Sequence, residues 1–258
     1  MIRVLSLGAG VQSTTVALMI KHGDLPPVDC AIFADTQWEP KSVYEHLDWL
    51  ESILPFPVYR VSQGNLRTDT LAKTNSTGQR FASVPWFTLG KNGKQGMGRR
   101  QCTAEYKLRP LQRKVVELLG SKRPKGGCEM LIGISQDEAW RSKPSRVQYI
   151  INTFPLLEKR MDRRACLKWL EERQYRVPPK SSCIGCPFHS DAQWRSLTTD
   201  EFADAVEVDK AIRHQPKMSH QQFMHSSRKP LDKVDFSTSE ERGQLNLFIN
   251  ECEGMCGV

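Results

Sequence analysis

The chain has 258 residues, 39% of them hydrophobic and 26% charged. These are proportions of a globular protein large enough to bury a core without disulfide staples, and they exclude collagen-like, mucin-like and largely disordered classes. Lys and Arg number 37 against 29 Asp and Glu, and the resulting net charge of +8 suits an anionic partner such as a nucleotide or nucleic acid, with a solvated basic face as the competing reading.

No run of about 18 apolar residues occurs, so no membrane partner is expected. The opening apolar run is broken by Gly8-Ala9-Gly10 and then by Gln12-Ser13-Thr14-Thr15, so it is not expected to be a secretory leader. A cytoplasmic location follows as the expectation. The eight cysteines are then expected as thiols or metal ligands rather than disulfides.

Residues 3–7 read as a short buried strand and 8–13 as a glycine turn. Residues 14–21 carry a helical apolar pattern through Val16, Ala17, Met19 and Ile20, ended near Gly23. A second strand is expected over 28–34. An amphipathic helix follows over 40–54, with Val43, Leu47, Leu50 and Leu54 on one face, and a third strand over 58–61. The polar, Gly-rich stretch 62–100 is expected to hold a mobile basic loop at 90–98. Residues 105–119 look helical, with Pro110 demanding a break or a start. A buried strand is expected at 129–134, and helices at 163–173 and near 200–213. Alternating strands and helices predict a parallel sheet with helices on its faces. The expected division is an α/β domain over 1–176 and a Cys-rich appendage over 177–258.

The segment Ser6-Leu7-Gly8-Ala9-Gly10-Val11-Gln12-Ser13-Thr14 joins a strand to a helix. Glycines there let the backbone approach a phosphate, and the helix start offers free N–H groups and a favourable dipole. A tight turn without a ligand is the plainer reading. The segment is neither a Walker A loop nor a Rossmann fingerprint. It resembles the PP-loop, Ser-Gly-Gly-x-Asp-Ser, of ATP pyrophosphatases and phosphoadenylylsulfate reductases. Gly10 and Ser13 match that pattern, while Gly8, Ala9 and Gln12 stand at its Ser, first Gly and Asp; Ser6 could replace the missing hydroxyl.

Further segments extend the resemblance. Phe33-Ala34-Asp35-Thr36 is similar to the Asp-Thr-Gly element that lies beside the nucleotide, against helix capping as the alternative. Gly133-Ile134-Ser135-Gln136-Asp137-Glu138-Ala139-Trp140-Arg141 is similar to the family's Gly-Ile-Arg-x-x-Glu-Ser-x-x-Arg element, with Ser135 at its first Arg. Arg141 could grip a phosphate or pair with Glu138. Cys102-Thr103-Ala104-Glu105-Tyr106-Lys107-Leu108-Arg109-Pro110-Leu111 and Cys183-Ile184-Gly185-Cys186 look like the two cysteine elements of iron–sulfur adenylylsulfate reductases and DNA phosphorothioation ATP pyrophosphatases, with Gln101 at the first Cys. A C-x-x-C turn aims two thiolates at one metal.

The resemblance implies a Rossmann-like adenine nucleotide α-hydrolase fold that binds ATP and Mg2+. ATP is expected over Ser6, Gly8, Ala9, Gly10, Gln12, Ser13, Thr14, Phe33, Asp35, Thr36, Gly133 and Glu138. It further implies a 4Fe–4S cluster, or alternatively Zn2+, on Cys102, Cys183, Cys186 and a fourth ligand for which Cys252 is taken, with Cys256, Cys166 or no protein residue at all as the other candidates. The tail Glu251-Cys252-Glu253-Gly254-Met255-Cys256 resembles the mobile nucleophilic tail of the reductases, so Cys256, Cys252, Lys107 and Arg141 are the catalytic candidates. The implied activity is an ATP pyrophosphatase that adenylates an acceptor and supports sulfur transfer. DNA stands ahead of tRNA as acceptor, with a sulfur donor such as a cysteine desulfurase; a homodimer is left open. An adenylylsulfate reductase, a tRNA thiolation enzyme and a zinc-stabilised nucleotide-binding module are the alternatives.

Overall fold

The computed structural model describes residues 1–78, 84–120, 127–214, 220–238 and 241. In chain order the elements are β1 Ile2–Ser6, α1 Val11–His22, β2 Cys30–Asp35, α2 Lys41–Ile53, β3 Val58–Ser62, α3 Leu66–Leu71, β4 Phe87–Gly90, β5 Gln95–Met97, a π-helical turn Thr103–Leu108, α4 Arg109–Leu118, β6 Cys128–Ile132, a 3-10 segment Gln136–Arg141, β7 Ile150–Thr153, α5 Pro155–Glu158, α6 Arg163–Glu172, α7 Asp191–Ser196, α8 Thr199–Ile212, β8 His220–Phe223 and a 3-10 turn Leu231–Lys233. No helix among the described residues is long and apolar enough to cross a membrane. The chain forms two compact units, the first from 1–63 and 104–181, the second from 64–103 and the described residues from 182 onward.

The first unit is an α/β layer structure. Its sheet has the order β3-β2-β1-β6-β7, and each neighbouring pair is parallel. The expected parallel sheet is present, with one strand more than the apolar runs indicate, β7. Side chains alternate across the sheet, as the two-residue strand period requires. Leu5 and Ala31 face a core shared with Val16 and Leu18 of α1, Leu47 and Leu50 of α2, and Leu170 of α6. Val4, Cys30, Ile32 and Met130 face a second core closed by Leu111 and Val115 of α4. Helices therefore cover both faces, and each fully buried Leu or Val contributes roughly 1.5–3 kcal/mol.

Local signals explain the helix ends. Gly23 closes α1 in the left-handed conformation at φ +80°, and its N–H bonds back to Ile20 O. Pro110 lies in the first turn of α4, where its missing N–H costs nothing, so the expected break is a helix start following the π-helical turn. Asp162 caps α6 by accepting from Ala165 N at 2.7 Å.

The second unit carries a three-stranded antiparallel sheet in the order β5-β4-β8. The stretch 90–98, expected as a loop, is thus part of a β-hairpin. Gly93 takes φ +77° and Gly90 N bonds to Lys94 O at 2.8 Å, so a Gly-rich sequence closes a tight turn between strands. Thr198 starts α8 with a reciprocal capping box to Glu201. Asp209 of α8 is buried and accepts from Met224 N at 2.9 Å and Leu231 N at 3.0 Å, and it pairs with Arg213.

Candidate functional site

The chain runs outward from β1 through β2 to β3 on one side, and places β6 and β7 on the other. The carboxyl ends of β1 and β6 therefore flank a topological switch point, where open α/β sheets leave a crevice for ligands. Ser6 is level with Ile32 of β2 and Ile132 of β6, so the three exits lie side by side.

The exit from β1 is a turn braced from inside. Ala9 is left-handed at φ +57°, which costs an L-residue roughly 1–2 kcal/mol and is eased by a small side chain. Gly10 is extended and its carbonyl accepts from Thr14 N at 2.9 Å, opening α1. Ser13 Oγ accepts from Gly8 N at 3.1 Å and donates to Gly10 O at 3.3 Å. The first turn of α1 carries no acidic residue. Its N–H groups and dipole are therefore unopposed by a carboxylate of that turn.

The exit from β6 crosses that same turn. A Cβ at Gly133 would lie 2.8 Å from Ser13 N and 3.0 Å from the carbonyl carbon of Gln12. Only glycine permits this backbone-to-backbone approach. Ser135, fully buried, accepts from Gln12 Nε2 at 3.3 Å, and Arg163 Nη1 donates to Gln12 Oε1 at 3.4 Å. Arg141 Nη1 meets Glu138 Oε1 at 2.6 Å with little of either side chain exposed. A Cβ on Gly10 would meet Ser181 Oγ at 2.7 Å, a further tight approach on the turn.

At the exit from β2, Asp35 Oδ1 accepts from Gln37 N at 2.7 Å and from the Tyr44 hydroxyl at 2.8 Å. Burial, and then this bond, push the Tyr44 phenol above its ordinary value. Thr36 Oγ1 donates to buried Glu39 at 3.0 Å, and Lys107 Nζ lies 3.4 Å from the same carboxylate. Phe33 is buried in the core, so its ring is not at the surface. Thr14 is also buried, and its hydroxyl is hydrogen-bonded to His46 Nε2 of α2 at 3.0 Å. Burial, and then nearby Arg176, lower the His46 pKa to about 4.

The structure therefore brings Gly8, Gly10, Gln12, Ser13, Gly133 and Ser135 into one constellation and sets Thr36 and Lys107 on a common partner, Glu39. Sequence reasoning missed His46, Tyr44 and Ser181. No pattern in the chain could have found them, because each joins the site through tertiary contact.

In the second unit, Cys183 O accepts from Cys186 N at 3.0 Å, and Cys186 O from His189 N at 3.2 Å. The C-x-x-C segment thus reverses the chain. Ser182 Oγ is hydrogen-bonded to His189 Nε2 at 2.8 Å, and Arg100 lies over the Phe188 ring. Cys102, Cys183 and Cys186 are half-buried. Among the described residues no three metal-ligating side chains gather around a common point. Cys252 and Cys256 lie outside the described residues. Cys30, Cys128 and Cys166 are core thiols, pushed up by burial to about 11, 12 and 12. Cys166 is therefore a poor thiolate ligand.

No protein-family model matches the chain, and no curated protein matches it. Among solved structures, the chain is similar to phosphoadenylyl-sulfate (PAPS) reductase from Candida auris in its phosphate complex. The two are 15% identical, with a TM-score of 0.43 over 76% of this chain and 83% of that one.

Proposed function

We propose that the first unit binds ATP with its phosphates over the Gly8–Gly10 turn, and that the protein is an ATP pyrophosphatase supporting sulfur transfer to nucleic acid, DNA ahead of tRNA. The observation that carries this reading is the close approach of Gly133 to the first turn of α1 at the switch point between β1 and β6. Backbone packed this tightly beside an acid-free helix start suits an anion that needs N–H donors rather than side chains.

In this reading the acceptor oxygen attacks the α-phosphorus of ATP, the bond to the bridging α–β oxygen breaks, and pyrophosphate leaves. Backbone N–H groups of the turn stabilise charge on the phosphates as it develops. Arg163, bonded to Gln12, adds positive charge at the same turn, and Arg141, paired with Glu138, is a further candidate to meet a phosphate. Lys107, already drawn to Glu39, is the candidate to meet the leaving group. Magnesium, when bound to the pyrophosphate, neutralises its charge. A cysteine persulfide, charged by a donor such as a cysteine desulfurase, then attacks through its outer sulfur and displaces AMP, and a thiol reductant cleaves the resulting S–S bond to return the cysteine as a thiol and leave one sulfur on the acceptor. The acceptor oxygen leaves with AMP, so sulfur replaces it.

The test is product analysis on the purified protein with ATP, Mg2+ and either DNA or tRNA, beside a parallel reaction with phosphoadenylylsulfate and a thiol reductant. Pyrophosphate formed from ATP supports the proposal, and stimulation by one nucleic acid names the acceptor. Sulfite from phosphoadenylylsulfate with no pyrophosphate from ATP overturns it in favour of a reductase. Iron, zinc and sulfide content is measured on the same anaerobic sample.

A further inference from the structure

Trp140 is the one exposed Phe, Tyr or Trp among the described residues, with 63% of its surface in water. It stands on the 3-10 segment Gln136–Arg141, which follows β6 on the side of the sheet that carries the glycine turn. The segment is anchored. Gln136 N bonds to Met161 O at 2.9 Å, Asp137 Oδ1 accepts from Arg163 N at 3.0 Å, and Ser142 N bonds to Ala139 O at 3.0 Å. Beyond it, Asn152 Nδ2 of β7 bonds to Lys143 O at 3.0 Å. The indole is thus held out by fixed backbone.

Its surroundings are cationic. Lys143 and Arg146 follow it in sequence. Arg160 and Arg164 flank the residues, Met161 and Arg163, that anchor its segment. All four are exposed, and none makes an ion pair among the described residues. A membrane or apolar protein partner would call for a broader apolar patch. A lone exposed aromatic on a segment followed by, and anchored between, cations without ion pairs among the described residues fits a polyanion that carries flat aromatic groups. In a duplex the base faces are already stacked, so the indole face suits an unpaired or everted base.

We infer that Trp140 is a stacking platform for an unpaired base of single-stranded nucleic acid, with Lys143, Arg146, Arg160 and Arg164 meeting the flanking phosphates. This rests on the nucleic-acid acceptor proposed above and specifies the form in which that acceptor is held.

The test is fluorescence anisotropy of a labelled oligothymidylate and of a blunt duplex over a salt series, for the full chain and its W140F, W140A and K143A/R146A variants. Circular dichroism checks folding, and ATP binding by the wild type is measured separately. The single strand should bind more tightly than the duplex. W140A should lose about 5- to 150-fold, the equivalent of ~1–3 kcal/mol for one stacked base, with the salt slope retained, and W140F should keep most of the affinity. K143A/R146A should flatten the salt slope by about 0.7 for each phosphate contact removed. Wild type that binds ATP but no single strand overturns both the platform and the nucleic-acid acceptor, leaving the nucleotide site standing. Single-strand binding equal in wild type and W140A overturns the platform alone.

Discussion

The side-chain amide of Gln12 donates to the hydroxyl of Ser135 at 3.3 Å. These are two positions at which the chain departs from the PP-loop family pattern it resembles, with amide in place of carboxylate and hydroxyl in place of guanidinium. Their contact makes the two departures one coupled change that is neutral in charge. Ser135→Ala should cost roughly 0.5–1.5 kcal/mol of stability, because the buried bond is lost. It should also weaken ATP binding by freeing Gln12 beside the phosphate turn. Urea unfolding and calorimetric titration with a non-hydrolysable ATP analogue read the two effects. Unchanged affinity would detach Gln12 from the site.

Gly133 offers a sharper test. An added Cβ would press on backbone atoms of Gln12 and Ser13 that cannot rotate away. Gly133→Ala should therefore push the start of α1 out of place, at about 1–3 kcal/mol of strain, and weaken ATP binding by a similar free energy. Gly8→Ala should do less, since its Cβ would sit 3.7 Å from the nearest atoms, in ordinary contact. Titration of both variants gives the ranking, and the reverse order would remove the close approach from the nucleotide argument.

The outline of this fold and of the glycine turn is legible in the sequence. The apolar runs marked β1, β2, β3 and β6, the helical spacing marked α1 and α2, and the glycines marked the turn. Partners were not legible, because hydrogen bonds such as Thr14 to His46 join residues 32 apart in sequence. β7 escaped because only Ile150 of its four residues is buried, so it carries no apolar run. The β4–β5 hairpin read as a loop because its Gly- and Lys-rich sequence has no strand preference. Its strands are held by pairing, Phe87 opposite Met97 and opposite Phe223, the second of these far along the chain.

In the second unit, Asp209 is the residue whose loss should matter most. Its carboxylate accepts from two backbone N–H groups and pairs with Arg213, which in turn lies over the Phe223 ring. Asp209→Ala leaves two buried donors and a mostly buried cation without their acceptor. Breaking a buried pair in this way costs about 3–5 kcal/mol. Denaturant unfolding should show the loss, and Asp209→Asn should recover part of it by keeping an acceptor oxygen. Equal stability of all three proteins would contradict the staple role.

His46 gives the first unit a pH dependence. It is buried, its Nε2 is bonded to Thr14, and its Nδ1 has no hydrogen-bond partner among the described residues. Burial holds the folded-state pKa at about 4 against an ordinary 6.5. Between those values the unfolded chain binds the proton and the folded one does not. Stability is therefore full above about pH 6.5 and falls as pH drops toward 4, by at most ~3 kcal/mol at 1.36 kcal/mol per pKa unit. His46→Gln keeps a hydrogen-bonding group beside Thr14 without a titrating proton, so it should flatten the slope across that window. Urea midpoints measured from pH 4 to 7 in both proteins decide it. Parallel curves would assign the acid sensitivity to other groups, whereas a flattened variant curve that also holds its ATP affinity at low pH would tie the Thr14–His46 contact to the alignment of the phosphate turn.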